Sequence, residues 1–168
     1  MLLFWLIMGC TDPAPKVPPD ADSGLEGTVT IGTGVDEWEP VEEGDSLIME
    51  HGPQGGWHIT GAVRAEGLDP LVKIAFVITD LDTGVEVTDY RYNVLLLQHT
   101  EGWYYYPGMI GFLNVDDLEE GDLDTPPELL DGHVLEMAMT LTDAEGRMGA
   151  DTLTIIAERD PVDIPPDE

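Results

Sequence analysis

The stretch that decides the fold is Leu135-Glu-Met-Ala-Met-Thr-Leu-Thr-Asp-Ala-Glu-Gly-Arg147, near the end of a chain of 168 residues. Its apolar residues occupy every second position, a period typical of a strand with one buried face: Leu135, Met137, Met139 and Leu141. Residues 143–147 carry the Asp and Gly of a chain reversal. We expect the return strand to bury Leu153, Ile155 and Ala157, which completes a hairpin.

The same alternation recurs upstream. Residues 57–65 place Trp57, Ile59, Gly61 and Val63 on one face, and leave an accessible polar face of His58, Thr60, Ala62 and Arg64. Residues 71–78 predict a further strand, and residues 85–99 predict a long one, broken or bulged near Asp89. Single helical turns are expected only at 115–120 or 127–130. Short strands with regularly spaced turns predict an all-β fold, an antiparallel sandwich, with a small barrel as the alternative.

Residues 131–147, together with 152–155, resemble the last two strands of immunoglobulin-like extracellular modules. The shared pattern is a glycine, alternating apolar residues, an Asp-x-x-Gly turn and a final strand rich in Thr and Val. The resemblance implies an immunoglobulin-like antiparallel β-sandwich of seven or eight strands. It implies nothing about function, because cadherin calcium motifs and the Cys–Trp–Cys core of antibody domains are absent.

The first ten residues, Met1-Leu-Leu-Phe-Trp-Leu-Ile-Met-Gly-Cys10, form an apolar run that ends at the single cysteine. The run is too short to span a bilayer and has the length of a signal-peptide apolar region. Leu6-Ile-Met-Gly-Cys10 resembles the lipobox of bacterial lipoproteins. The resemblance implies that residues 1–9 are removed and that Cys10 is lipidated. Thr11, in place of the aspartate that retains lipoproteins in the inner membrane, favours the outer membrane. The alternative is a buried strand with an isolated thiol.

Composition divides the remainder of the chain. Residues 10–24 are a polar, Pro-rich tether, residues 25–159 are the folded sandwich, and residues 160–168 are an acidic Pro-rich tail. The formal net charge is −29, from 35 acidic and 6 basic residues. Such a field repels nucleic acid and anionic membrane surfaces, so we exclude nucleic acid as a partner. The acidity fits solvation, adaptation to salt or the binding of cations.

Two sets of residues are candidate metal ligands. His51 and His58 flank a Gly-rich turn, and imidazoles suit zinc, copper or nickel. His99 and His133 are candidate further ligands; the alternative is two solvated histidines beside a packed Trp57. The second set is the acidic loop of residues 116–124, where Asp116, Asp117 and Glu119 offer oxygen ligands to calcium. A solvated loop is the alternative there. Asp80, Asp82 and Gly84 supply half of a calcium-loop pattern and then stop.

An aromatic run, Trp103-Tyr-Tyr-Tyr106, is a candidate binding surface, in which Trp103, Tyr104 and Tyr106 would contact a ligand. If the run is a strand, Trp103 and Tyr105 share one face while Tyr104 and Tyr106 share the other. One pair would then belong to the core. We therefore expect only part of this run to be available to a ligand.

Catalytic motifs are not recognisable. The sequence has no nucleophile elbow, H-E-x-x-H, P-loop or dinucleotide-binding glycine pattern. The expected function is a non-catalytic, lipid-anchored protein of the bacterial cell envelope, whose sandwich binds an envelope protein or a glycan without a cofactor. One alternative is a metal-binding envelope protein that uses the His51/His58 pair or the acidic loop for a transition metal or calcium. Another is a hydrolase with a carboxylate pair.

Overall fold

The computed structural model describes residues 26–53, 55–118 and 125–163. It confirms the all-β class. The strands are β1 Thr28–Thr33, β2 Glu39–Pro40, β3 Ser46–His51, β4 Trp57–Glu66, β5 Leu71–Asp80, β6 Glu86–Leu95, β7 Leu97–Gln98, β8 Tyr104–Phe112, β9 Val134–Asp143 and β10 Met148–Arg159. One short helix, α1, spans Pro126–Leu130, and a 3-10 turn spans Pro161–Asp163. The helix falls at one of the two places where a helical turn was predicted.

The strands form two facing sheets. The front sheet has the order β10-β9-β5-β6, and the back sheet has the order β2-β1-β4-β8 with β7 paired to β8. β3 joins the two sheets, because it pairs antiparallel with β4 and parallel with β10. These orders correspond to the G-F-C and A-B-E-D sheets of the immunoglobulin fold, with one added strand beside C. Eight strands have six residues or more, as the resemblance implied.

The core lies between the two sheets and is built on complementary residue sizes. Phe76 of β5 is fully buried and faces two glycines of the back sheet. A Cβ atom on Gly61 would lie 2.9 Å from the Phe76 Cζ atom, and one on Gly111 would lie 2.9 Å from its Cε1 atom. The inward residues predicted for the last hairpin are all buried or half-buried: Leu135, Met137, Met139, Leu141, Leu153, Ile155 and Ala157.

The last hairpin ends in a tightly bonded turn around Asp143. This carboxylate is fully buried and accepts hydrogen bonds from the backbone N–H groups of Asp69, Glu145 and Arg147. The Arg147 Nε atom donates to it at 2.8 Å, and Arg147 Nη2 lies 2.9 Å from Asp69 Oδ1. Burial raises the pKa of Asp143, but the backbone hydrogen bonds and the Arg147 charge outweigh burial and hold that pKa below its usual value.

The strand predicted over residues 85–99 has an irregularity near Asp89, as expected, since its register against β5 shifts between Thr88 and Glu86, and it is interrupted again at Leu96. β6 ends at Leu95 and β7 begins at Leu97, because the Leu96 N–H leaves the sheet to donate to the Pro70 carbonyl at 2.8 Å. The interruption carries the chain from the front sheet into the back sheet, where β7 pairs with β8.

Side chains connect the two sheets at the side opposite β3. Tyr92 of β6 donates its hydroxyl to the Ile110 carbonyl of β8 at 2.6 Å. Thr88 donates to the Phe112 carbonyl at 2.7 Å. Burial raises the pKa of the Tyr92 phenol, which therefore remains a donor at neutral pH. These two bonds hold β6 against β8 along the open side of the sandwich.

Candidate functional site

The outer face of the back sheet is partly covered by the loop between β1 and β2. The Trp38 indole lies over Gly32, since a Cβ atom on that glycine would lie 2.4 Å from the Trp38 Nε1 atom. The Gly108 N–H donates to the Gly34 carbonyl at 2.8 Å and ties the loop to β8. Of the outward residues of β4, His58, Thr60 and Ala62 are buried, with His58 only 9% exposed. The expectation of an accessible His58 was wrong, because Glu50 of β3 and Phe112 of β8 lie against its imidazole.

Beside this covered region lies an outer aromatic cluster, formed by Trp38, His99, Trp103, Tyr105 and the Arg64 guanidinium. The His99 ring stacks on Trp103 with centroids 3.9 Å apart, and Arg64 Cζ lies 4.7 Å from the Trp103 ring centroid. Trp38 and Tyr105 contact Trp103 edge-on, at 6.1 and 5.6 Å between centroids. The Trp103 indole is therefore held by several neighbours.

The aromatic run divides as the alternation predicted. Trp103 and Tyr105 belong to the outer aromatic cluster, whereas Tyr104 and Tyr106 are half-buried and pack against the core. Of the three residues expected to contact a ligand, Trp103 alone lies on the outer face. Tyr104 and Tyr106 instead stand opposite Ala65 and Val63 of β4, on the inner side of the back sheet.

An apolar strip continues along the same outer face. Its members are Leu97, Ile110 and Phe112, which are 48%, 38% and 41% exposed. Leu97 stands opposite Tyr105 in the β7–β8 pair, so the strip adjoins the outer aromatic cluster. The outer face of the front sheet carries small, hydroxylic and charged residues at its centre, and exposes apolar side chains in two pairs near its ends, Leu71 with Leu95 and Val134 with Ile156.

An acidic groove of about 490 Å³ opens between the β1–β2 loop and β4. Its walls carry four carboxylates and two threonine hydroxyls, from Asp36, Glu37, Glu39, Glu50, Thr33 and Thr60. The Glu50 Oε2 atom lies 3.2 Å from His58 Nε2 and accepts a hydrogen bond from Thr60 Oγ1 at 3.3 Å. The groove thus offers concentrated negative charge next to an apolar surface.

The structure does not bring His51 and His58 together. His51 stands opposite Trp57 and stacks on it at 4.7 Å, while His58 stands opposite Glu50 and lies against Phe112. Because successive side chains of a strand alternate, the two imidazoles project to opposite faces of the β3–β4 pair. His51 and His58 therefore cannot be ligands of one ion in this arrangement.

The remaining predicted ligands are dispersed or lie outside the described residues. Asp116 and Asp117 are exposed in a turn after β8, while Glu119 and the lipidation candidate Cys10 lie outside the described residues. His133 lies far along the chain from His51 but beside Asp80 and Asp82, its Nδ1 atom 3.2 Å from Asp80 Oδ2. Sequence analysis singled out each of these three residues without connecting them. The missing step was the pairing of β5 with β9, which places Asp80 opposite Leu135.

No protein family and no curated protein matches this sequence. Among solved structures, the chain is similar to the CooA pilin subunit from enterotoxigenic Escherichia coli, with 11% identity and a TM-score of 0.37, over 80% of this chain and 99% of that chain. A likeness at this level carries no argument about fold or function. Within the described residues, we find no helix of the length and apolarity that a membrane span requires.

Proposed function

We propose that this protein is a non-catalytic lipoprotein of the bacterial cell envelope, whose sandwich binds a partner protein through the outer face of its back sheet. The supporting observation is the position of the apolar strip of Leu97, Ile110 and Phe112, which lies on the same face as the outer aromatic cluster and the acidic groove. The exposed apolar residues of the front sheet instead form separate pairs at opposite ends of its strands, Leu71 with Leu95 and Val134 with Ile156. On soluble domains, contiguous exposed apolar surface marks an interaction site.

The chemistry around the strip favours a partner with basic and apolar side chains. The acidic groove adjoins the strip and carries the carboxylates of Asp36, Glu37, Glu39 and Glu50. Complementary charge across an interface accelerates association and selects the partner. A glycan is less well matched, because sugars stack on free aromatic faces and the Trp103 ring already contacts His99 and Arg64.

The anchor in this proposal is the lipid carried by Cys10, with the Pro-rich residues 10–24 as the spacer. The lipobox-like sequence Leu6–Cys10 supports it, and Thr11 supports the outer membrane as the location. Several acyl chains on one cysteine would give stable attachment, since a single chain binds membranes only marginally. Mass spectrometry of the protein from cell membranes should find an acylated Cys10 as the first residue. A Cys10→Ser variant should leave the membrane fraction, and its retention there would contradict the anchor.

The partner can be sought with a photoreactive residue placed on the full-length protein in living cells. Replacing Leu97 with that residue probes the apolar strip. Replacing Leu71, which is 57% exposed at the start of β5, supplies the matched control on the front sheet. We expect an adduct of defined mass from position 97 that is absent from position 71. Mass spectrometry of the adduct should find peptides of a second protein, and the adduct should weaken as salt increases because the acidic groove contributes to binding.

Two results would contradict the proposal. Equal adducts from positions 97 and 71, or none from position 97, would mean that the back sheet is not the binding face. An adduct that contains no peptide of a second protein and loses its added mass on treatment with glycan-degrading enzymes would identify a glycan as the ligand instead. A Phe112→Ser variant gives an independent check, since it shortens the strip without adding charge and should reduce the adduct.

A further inference from the structure

A second cluster of polar side chains lies at one end of the front sheet and contains none of the residues used in the proposed function. Asp80 ends β5, Asp82 lies in the turn that follows, and His133 directly precedes β9. The His133 Nδ1 atom is 3.2 Å from both Asp80 carboxylate oxygens and 3.9 Å from Asp82 Oδ2. One ligand atom from each of the three residues can be chosen so that all three atoms lie within 4.8 Å of one another.

The two carboxylates are held in place by their own hydrogen bonds. Asp80, which is fully buried, accepts from the Asp82 N–H at 3.1 Å and from the Thr83 hydroxyl at 2.6 Å. Asp82 Oδ2 accepts from the Val134 N–H at 3.1 Å, which fastens the turn to the start of β9. Such outer contacts are what orient the ligands of metal sites, and here they are formed by the chain itself.

The opposite end of the front sheet shows what this arrangement lacks. There the buried Asp143 also ends a strand and accepts N–H groups from its turn, but its cationic partner is Arg147. A guanidinium is always charged and also reaches Asp69. At the Asp80 end, two carboxylates face the His133 imidazole. With a neutral imidazole, the three side chains together carry a formal charge of −2. A divalent cation supplies the charge that Arg147 supplies at the other end.

We propose that Asp80, Asp82 and His133 bind a divalent transition-metal ion of the zinc type. Metal–ligand bonds of about 2.0–2.1 Å in tetrahedral geometry place neighbouring ligand atoms about 3.3 Å apart. The observed 3.2 and 3.9 Å separations lie close to that value, so little movement is required. An imidazole nitrogen favours zinc, nickel or copper, whereas calcium requires six to eight oxygen ligands.

The position of the cluster gives the ion a route from solvent. The His133 and Asp82 side chains are 32% and 54% exposed, while Asp80 closes the inner side. The three residues supply three ligands, so a water molecule would complete the tetrahedron. Binding needs the lone pair of the His133 Nδ1 atom, so the ion replaces the proton that would otherwise bond to Asp80.

Isothermal titration of the full-length protein with Zn²⁺, after treatment with a chelator, tests this site. Excess Mg²⁺ in the buffer suppresses weak binding to the acidic surface. We expect one tight equivalent of Zn²⁺ and a rise in melting temperature on its addition. His133→Gln and Asp82→Asn should each weaken that binding by more than about tenfold. His51→Gln and His99→Gln remove exposed or half-buried histidines elsewhere, so they should bind as the unaltered protein does.

Several outcomes would overturn the site. These are no tight equivalent in the unaltered protein, equal affinity in His133→Gln, or an equal loss in His51→Gln. Asp80→Asn is unsuitable as a test, because the buried carboxylate also orders the turn. If His133→Gln unfolds, the Zn²⁺ affinity of Asp82→Asn is the test instead. This side chain lies at the surface, and its amide oxygen can still accept a hydrogen bond from the Val134 N–H.

Discussion

Gly61→Ala tests the packing on which the sandwich rests. Gly61 lies at the centre of β4, beneath the Phe76 ring of the opposite sheet. An added Cβ atom would lie 2.6 Å from Met139 Cε and 2.9 Å from Phe76 Cζ. Ordinary carbon–carbon contacts are about 3.5–4.0 Å, so both neighbours must move by roughly 1 Å. Met139 can turn its terminal methyl aside, but the Phe76 ring is also confined by Gly111.

The expected magnitude follows from these distances. Inserting a methyl group into a filled core costs about 1–3 kcal/mol. Replacing glycine also restricts the unfolded chain, which offsets about 0.4–1 kcal/mol of that loss. We therefore expect Gly61→Ala to lower the free energy of unfolding by about 1–2 kcal/mol. For a domain of this size, that corresponds to a fall in melting temperature of roughly 5 °C.

Urea unfolding followed by circular dichroism measures the change, with Gly52→Ala as the matched control. Gly52 has no positive φ, and its added Cβ atom would meet its nearest neighbour at 3.5 Å, so that variant should be as stable as the parent or slightly more stable. Phe76→Leu should cost less in the Gly61→Ala background than alone, by at least about 0.5 kcal/mol. A Gly61→Ala protein of unchanged stability, with additive effects in the double variant, would refute the size complementarity.

Tyr92→Phe removes the hydroxyl that β6 donates to Ile110, and urea unfolding should show a loss of about 1 kcal/mol; no loss would mean that this bond does not hold the open side. Because the pKa of Asp143 is lowered by folding, its contribution to stability is present above its usual pKa of about 3.9 and is lost as pH falls through the folded value. Unfolding measured from pH 6 to pH 2.5 should show this loss, and Arg147→Gln should reduce it. An unchanged acid dependence in Arg147→Gln would exclude the ion pair as a cause.

The fold was predictable from sequence because the alternation of apolar and polar residues within each strand indicates which of its faces is buried. Met137 and Met139 alternate with Glu136 and Ala138, and this local pattern determines which face packs inward whatever the neighbouring strands are. The immunoglobulin-like arrangement was implied by the resemblance of residues 131–147 and 152–155 to immunoglobulin-like modules. The irregularity near Asp89 was predicted, but the interruption at Leu96 was not, because it depends on a hydrogen bond to Pro70, a residue on a different part of the chain.

The sites were less predictable because they depend on contacts between distant residues. His58 has the polar neighbours of an exposed residue along its strand, yet it is buried because Glu50 of β3 and Phe112 of β8 lie against it. Asp80 and His133 are 53 residues apart, and only the β5–β9 register brings them together. The division of the aromatic run was predictable, since alternation alone separates Trp103 from Tyr104. Alternation could not show which of the two faces is free for a ligand, because that depends on tertiary contacts.

In the proposed function, the charge of −29 serves partner selection more than folding. The carboxylates that the fold needs are few and specific: Asp80 and Asp143 are buried, and each accepts hydrogen bonds from its own turn. The carboxylates of the acidic groove instead line a cavity open to solvent, where their mutual repulsion does not stabilise the folded state. A basic partner would relieve that repulsion on binding. Its association should therefore slow steeply with salt, whereas the stability of the free domain should not fall.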